Sequence, residues 1–123
     1  MSDIKDPDLG LIHADALQEN VFLNAGSLTL IDFDDAGFGY RSYDLGVSIS
    51  QHYSVKYLND LITAIRDGYG TLRSAPSSEE IKFFLLLRCL ASAGWVAERQ
   101  SKESPSQRIY VERALHLAHQ WLT

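Results

Sequence analysis

The stretch "LIHADALQENVFLNAGSLTLIDFDDAGFG" (residues 11–39) decides how this chain reads. It sets His13, Asp15, Glu19, Asn20, Asp32, Asp34 and Asp35 between short apolar runs. "NVFL" (20–23) and "LTLIDF" (28–33) flank the turn-forming "NAGS", which predicts a β-hairpin. The polar residues fall where the chain changes direction, and sites are usually built there on the scaffold beneath.

Asp15 lies in the loop before the hairpin, where a carboxylate can accept a proton from an attacking hydroxyl. Asn20 and Asp32 lie near the open end of the hairpin on opposite strands. Cross-strand neighbours have Cβ atoms about 5 Å apart, close enough for two side-chain oxygens to share one hard cation. Mg²⁺ suits such a pair, because it takes oxygen ligands and keeps several waters. Register is the test of this reading. Pairing Leu23 with Leu28 would put Asn20 and Asp32 on opposite faces, so a shared cation predicts a loop one residue shorter or longer, or a bulge.

Outward from this stretch, residues 1–8, "MSDIKDPD", read as a flexible N-terminus, and "LGLI" (9–12) is an apolar run too brief for a helix. "DDAGFGYRS" (34–42) reads as irregular, and helical periodicity begins near Tyr43. "YDLGVSISQHY" (43–53) predicts a short helix. Val55, Leu58, Ile62, Ile65 and Tyr69 form the stripe of a second. A third opens with Ser77 and Glu80 at capping-box spacing, and its centre, interrupted by Lys82 and Arg88, is apolar nearly all round. A fourth is expected from Ser104-Pro105, with Val111, Ala114, Leu115, Ala118, Trp121 and Leu122 on one face. Cys89, Trp95 and Trp121 are read as core residues.

The composition is that of an ordinary globular domain: 123 residues, 46% hydrophobic, 22% charged, with a net charge of −5. The acidic balance argues against nucleic acid and anionic membrane surfaces as partners. One cysteine makes no internal disulfide, and no apolar run is long enough to span a bilayer, so a cytoplasmic location is expected.

"HADALQEN" fits the His-x-Asp-x-x-x-x-Asn catalytic loop of kinases, and "LIDFDD" follows where a second metal aspartate belongs. With "YDLG" (43–46), the run resembles the aminoglycoside phosphotransferase/choline kinase family, and "IDFDDAGFG" is closest to its homoserine-kinase-like members. The match is dense over residues 9–46. The resemblance implies an α+β, mainly α-helical fold: a short β-hairpin with the catalytic loop, then about four helices, part of a protein-kinase-like C-terminal lobe over residues 9–123. It implies ATP as phosphoryl donor, Mg²⁺ as cofactor and a small-molecule hydroxyl as acceptor. Asp15 would be the catalytic base, Asn20 and Asp32 the metal ligands, and His13 and Asp44 the structural support of the loop. Asp34 is a candidate for a second metal, although with Asp35 it also reads as a turn acid.

Two departures from the family shape the expectation. Ala14 stands where the family usually has glycine, a substitution that resists a positive φ. The catalytic loop also begins at residue 13, whereas family members carry an N-terminal lobe that clamps the phosphates. The chain alone is therefore expected to be inactive as a kinase. A non-catalytic homo-oligomeric module with a vestigial site, or one half of a split kinase, are the alternatives. Apolar surface exposed toward the lobe would favour a homodimer or association with that lobe.

Overall fold

The computed structural model describes residues 8–53 and 56–99, with isolated helical positions at 109, 111, 112, 115 and 119. Four strands and three helices follow in order: β1 (Leu9–Ile12), β2 (Val21–Asn24), β3 (Ser27–Leu30), β4 (Gly37–Tyr40), α1 (Arg41–Ser48), α2 (Leu58–Tyr69) and α3 (Ser78–Arg99). The architecture is the expected α+β arrangement, a small β element followed by helices, and it resembles part of a kinase-like fold.

The strands form two antiparallel ladders, β1 with β4 and β2 with β3. The second is the expected hairpin. Ala25 and Gly26 at its tip both have positive φ, 51° and 81°, as a two-residue turn of type I′ requires. The first ladder corrects the irregular reading of residues 37–40. Gly37, Phe38, Gly39 and Tyr40 pair with Ile12, Leu11, Gly10 and Leu9. Ile12 faces Gly37, so the segments 13–20 and 31–36 leave the same end of this ladder. That junction places the candidate site.

The core lies among the helices. Ile49, Ile62, Ile81, Leu85 and Cys89 form one buried cluster, with Leu45, Leu58, Leu61 and Ile65 packed against it. Gly46 lets α1 approach α3: a Cβ there would stand 2.6 Å from the Leu85 backbone nitrogen. On α3 the buried positions are Ile81, Phe84, Leu85, Arg88 and Cys89, a single stripe at helical spacing. Leu87 and Leu90 stay exposed, so the helix is one-sided, not buried all round.

Ser77 caps α3 as expected, its hydroxyl accepting from the Glu80 N–H at 3.1 Å. The reciprocal half of the capping box is replaced: the Glu80 carboxylate accepts from the Ser42 hydroxyl at 2.7 Å and ties α3 to α1. Val55, residues 1–7 and most of the expected fourth helix lie outside the described residues. Of that helix's stripe, Val111 and Leu115 are exposed. Asp8, grouped by sequence with the flexible N-terminus, is instead held by Arg41, Arg73 and the Tyr69 hydroxyl. Among the described residues no helix is long and apolar enough to cross a membrane.

Candidate active site

The loop after β1 is built around a strained residue. Ala14 has φ 69°, the left-handed region that the glycine of the resembling family would occupy freely. Holding alanine there costs about 1 kcal/mol, which the surroundings must offset. Asp44, in the first turn of α1, supplies two contacts: its Oδ2 accepts from the His13 N–H at 2.8 Å and its Oδ1 from the Ala14 N–H at 2.7 Å. Arg88 supplies a third, donating to the Ala14 carbonyl at 2.8 Å. The strained residue is thus held at both of its backbone polar groups.

His13 is buried and fixes two strand connections at once. The Asp15 N–H donates to its Nδ1 at 3.1 Å, so Nδ1 carries the lone pair and the ring proton sits on Nε2. Nε2 then donates to the Ile31 carbonyl at 2.7 Å. Phe33 packs on the ring with centroids 4.7 Å apart. This arrangement uses His13 as a brace between the loop and the segment carrying Asp32.

The Asp15 carboxylate is held from two sides. Arg88 Nη2 donates to Oδ1 at 2.6 Å, and Asn20 Nδ2 donates to Oδ2 at 3.2 Å and to the Asp15 carbonyl at 2.9 Å. Both Asn20 contacts are acceptors, which fixes the orientation of its amide. Asn20 is 7% exposed, and its side-chain Oδ1 has no hydrogen-bond partner among the described residues. A buried amide oxygen left open in this way suits a hard cation.

Asp32 does not join this cluster through hydrogen bonds among the described residues. It is exposed and has φ 62°. The peptide before it is pinned on both sides, the Ile31 N–H donating to the Asn20 carbonyl at 3.0 Å and the Ile31 carbonyl accepting from His13. The ladder takes the Leu23–Leu28 register that strand alternation had counted against a shared cation. The odd loop or bulge expected from sequence is not present. Neither residue lies within the ladder: Asn20 ends a short 3₁₀ turn and Asp32 breaks extended geometry, so face alternation does not reach them. Asp34 and Asp35 occupy an exposed turn closed by the Ala36 N–H on the Phe33 carbonyl. Among the described residues no three His, Cys, Asp or Glu side chains gather into a cation cage. Asn20 and Asp32 are the residues of this stretch that could offer oxygens to a hard cation, one buried and one exposed.

Arg88 is the site residue that sequence reasoning missed. It is 7% exposed and also donates to the Tyr43 hydroxyl at 3.3 Å. Burial pushes the guanidinium pKa down, and the hydrogen bonds to Tyr43 and Asp15 more than offset this, so it stays charged. Its guanidinium stacks 5.1 Å from the Trp95 ring centroid. Trp95, expected in the core, is half-exposed and covers Arg88 instead.

Comparison with solved structures gives a microcompartment-associated aminopropanol kinase at 28% identity and a TM-score of 0.77, covering 94% of this chain and 38% of that one. An amicoumacin kinase in complex with AMP-PNP, Ca²⁺ and Ami matches at 17% identity and a TM-score of 0.69, covering 97% of this chain and 40% of its own; that likeness concerns fold alone. The chain thus spans about two-fifths of the length of the structures it matches. A comparison with curated protein sequences gives no match. The profile of the phosphotransferase enzyme family (APH) matches residues 3–84. That span exceeds half of the 123 residues, and the chain belongs to the phosphotransferase enzyme family.

Proposed function

We propose that these residues form the base-bearing and cation-holding part of an ATP-dependent phosphotransferase site acting on a hydroxyl of a small molecule. One observation carries the reading: the Asp15 carboxylate is fixed between Asn20 and Arg88 on a loop that Asp44 clamps to α1. Asp15 takes the acceptor's hydroxyl proton, the acceptor oxygen bonds to the γ-phosphorus, and the bond to the ADP oxygen breaks. Asn20 and Asp32 would hold Mg²⁺, which when bound neutralises charge on the nucleotide phosphates. Asp44 and His13 keep the loop and the Asp32 segment in register with one another.

Positioning and electrostatics supply most of the rate in phosphoryl transfer, and a two-ligand cation site on an open surface binds weakly. Assayed as these 123 residues, the protein is expected to bind Mg²⁺ and ATP without useful turnover. The apolar residues left in solvent, among them Leu11 at 82%, Leu23 at 73% and Phe38 at 76% exposure, support a further protein surface that completes the fold. That surface is either the remaining part of a kinase-like fold or a second copy of this chain. Sedimentation of the purified chain separates monomer from homodimer.

The direct test is thermal unfolding with Mg²⁺ and ATP, run beside Asp32→Ala and Asp15→Ala. Ligand at 100 times its dissociation constant stabilises the fold by about 2.7 kcal/mol. The expected result is a shift that Asp32→Ala abolishes and Asp15→Ala reduces without abolishing, since Asp15 orients Asn20 but is not itself a cation ligand. No shift at millimolar ligand would favour a non-catalytic module that retains the kinase residues, and equal loss in both variants would contradict the assigned roles.

A further inference from the structure

The reading above uses Asp15, Asn20 and Asp32 but leaves a buried cation beside the base without a role. Arg88 lies on α3, 73 positions from Asp15 in sequence, on the stripe that faces the body of the fold. One guanidinium makes three anchoring contacts: the Asp15 carboxylate, the strained Ala14 carbonyl and the Tyr43 hydroxyl. Trp95 covers it from outside. Among the described residues Asp15 is the one carboxylate paired with it.

A charge this buried is strongly disfavoured when unpaired, so Arg88 and Asp15 hold each other in place. The planar fork of arginine reaches the carboxylate and the neighbouring carbonyl together, which a lysine ammonium does less well. Asp15 in turn holds Asn20, whose amide donates both hydrogens within the same residue: to its Oδ2 and to its carbonyl. Asn20 is left with one open acceptor, the side-chain oxygen assigned to the cation.

We infer that Arg88 is a positioning residue of this site: acting through Asp15, it fixes the Asn20 side chain and so prepares the amide oxygen for Mg²⁺. The inference rests on the proposed phosphotransferase reading and extends it to a residue on a distant helix. Charge alone predicts the opposite effect. A guanidinium near a cation site repels the cation, so removing it should tighten binding if Coulomb interaction were its whole contribution. A positioning role predicts weaker binding, since loss of the groups that orient metal ligands typically lowers affinity 10–100-fold.

The experiment compares the 123-residue protein with Arg88→Gln and Arg88→Lys, using two readouts. The first is the dissociation constant of Mg²⁺ alone, titrated without nucleotide by calorimetry. The second is the pair of Asn20 side-chain amide resonances in ¹⁵N-correlated NMR spectra, which report the geometry with no ligand present. Arg88→Gln is expected to raise the dissociation constant about tenfold and to move the Asn20 resonances toward those of a solvated amide. Arg88→Lys keeps the charge but loses the fork, and it should move the Asn20 resonances in the same direction. It also carries the test if the glutamine variant does not fold. Unchanged Asn20 resonances in the folded variants overturn the inference, as does tighter binding of Mg²⁺ alone in Arg88→Gln. If the wild type binds no Mg²⁺–ATP, the phosphotransferase reading fails separately, and the Asn20 resonances still decide whether Arg88 positions this cluster.

Discussion

The helical body and the β2–β3 hairpin are stabilised in different ways. In the body, Ile62, Ile81, Leu85 and Cys89 are removed from water almost completely, and burial on that scale drives folding. The hairpin has Phe22, Leu23, Leu28 and Leu30 in solvent, and what fixes its shape locally is the Ala25-Gly26 turn and the ladder hydrogen bonds. The candidate site occupies the seam. Its loop is clamped by Asp44 and Arg88 from the helical side and joined to the hairpin segment through His13 and the Asn20 carbonyl. The candidate site residues therefore sit where a packed body supports a poorly covered one.

The largest expected effect tests this contrast directly. Leu85→Ala should destabilise the protein by about 3 kcal/mol, in the range for emptying a core site. Leu28→Ala, in the exposed hairpin, should change stability by less than about 0.5 kcal/mol in the isolated chain. Urea unfolding of both variants checks the pair, and similar losses would mean that the hairpin is covered in solution. Gly46→Ala comes next. Its Cβ would meet backbone atoms of Phe84 and Leu85 at 2.8 and 2.6 Å, with no flexible side chain to yield. Overpacking of this kind costs about 2 kcal/mol, and the same urea titration reads it.

At the seam the sign reverses. Ala14 is held at φ 69° by hydrogen bonds to its peptide groups, not to its methyl group. Ala14→Gly should therefore keep the clamp, relieve the left-handed strain and stabilise by about 1 kcal/mol. Destabilisation would show that the methyl group packs usefully or that the loop adopts another conformation in solution.

These particulars also show what could be read in the sequence. The hairpin, the Ser77 cap and the helical stripe of α2 depend on local patterns, and local patterns are legible in a single chain. Strand β4 was not, because "GFGY" gains its extended form from pairing with β1, and glycines at alternate positions read as a turn. The register, Leu23 on Leu28, is the one counted against a shared cation, and it does not decide the site because Asn20 and Asp32 stand just beyond the ladder. Arg88 left a usable trace. It follows Ile81, Phe84 and Leu85 at helical spacing and so shares their face, but the apolar residues on every side of this segment hid which face is buried.

The smallest expected effect concerns the other end of β1, where Asp8 ties the strand to α1, α2 and the segment after it. Burial pushes the Asp8 carboxyl up, and hydrogen bonds from Tyr69, Arg41 and Arg73 more than offset this, holding it below its ordinary 3.8. A depressed folded value means that the cluster stabilises the protein fully above pH 3.8, and that this contribution is lost as pH falls through the lower, folded value. Tyr69 moves the other way: burial and the Asp8 carboxylate raise it above 10.0, so its contribution is present below that pH and lost as pH rises through the raised value. The groups are partly exposed, so the effect is modest and should shrink with added salt. Thermal unfolding of wild type and Asp8→Asn across acid pH isolates it: the gap between them should close as the medium is acidified below pH 3.8. A gap that stayed constant would assign the Asp8 contacts to shape and hydrogen bonding, with no contribution from charge, in contrast to what burial implies for the Arg88–Asp15 pair at the seam.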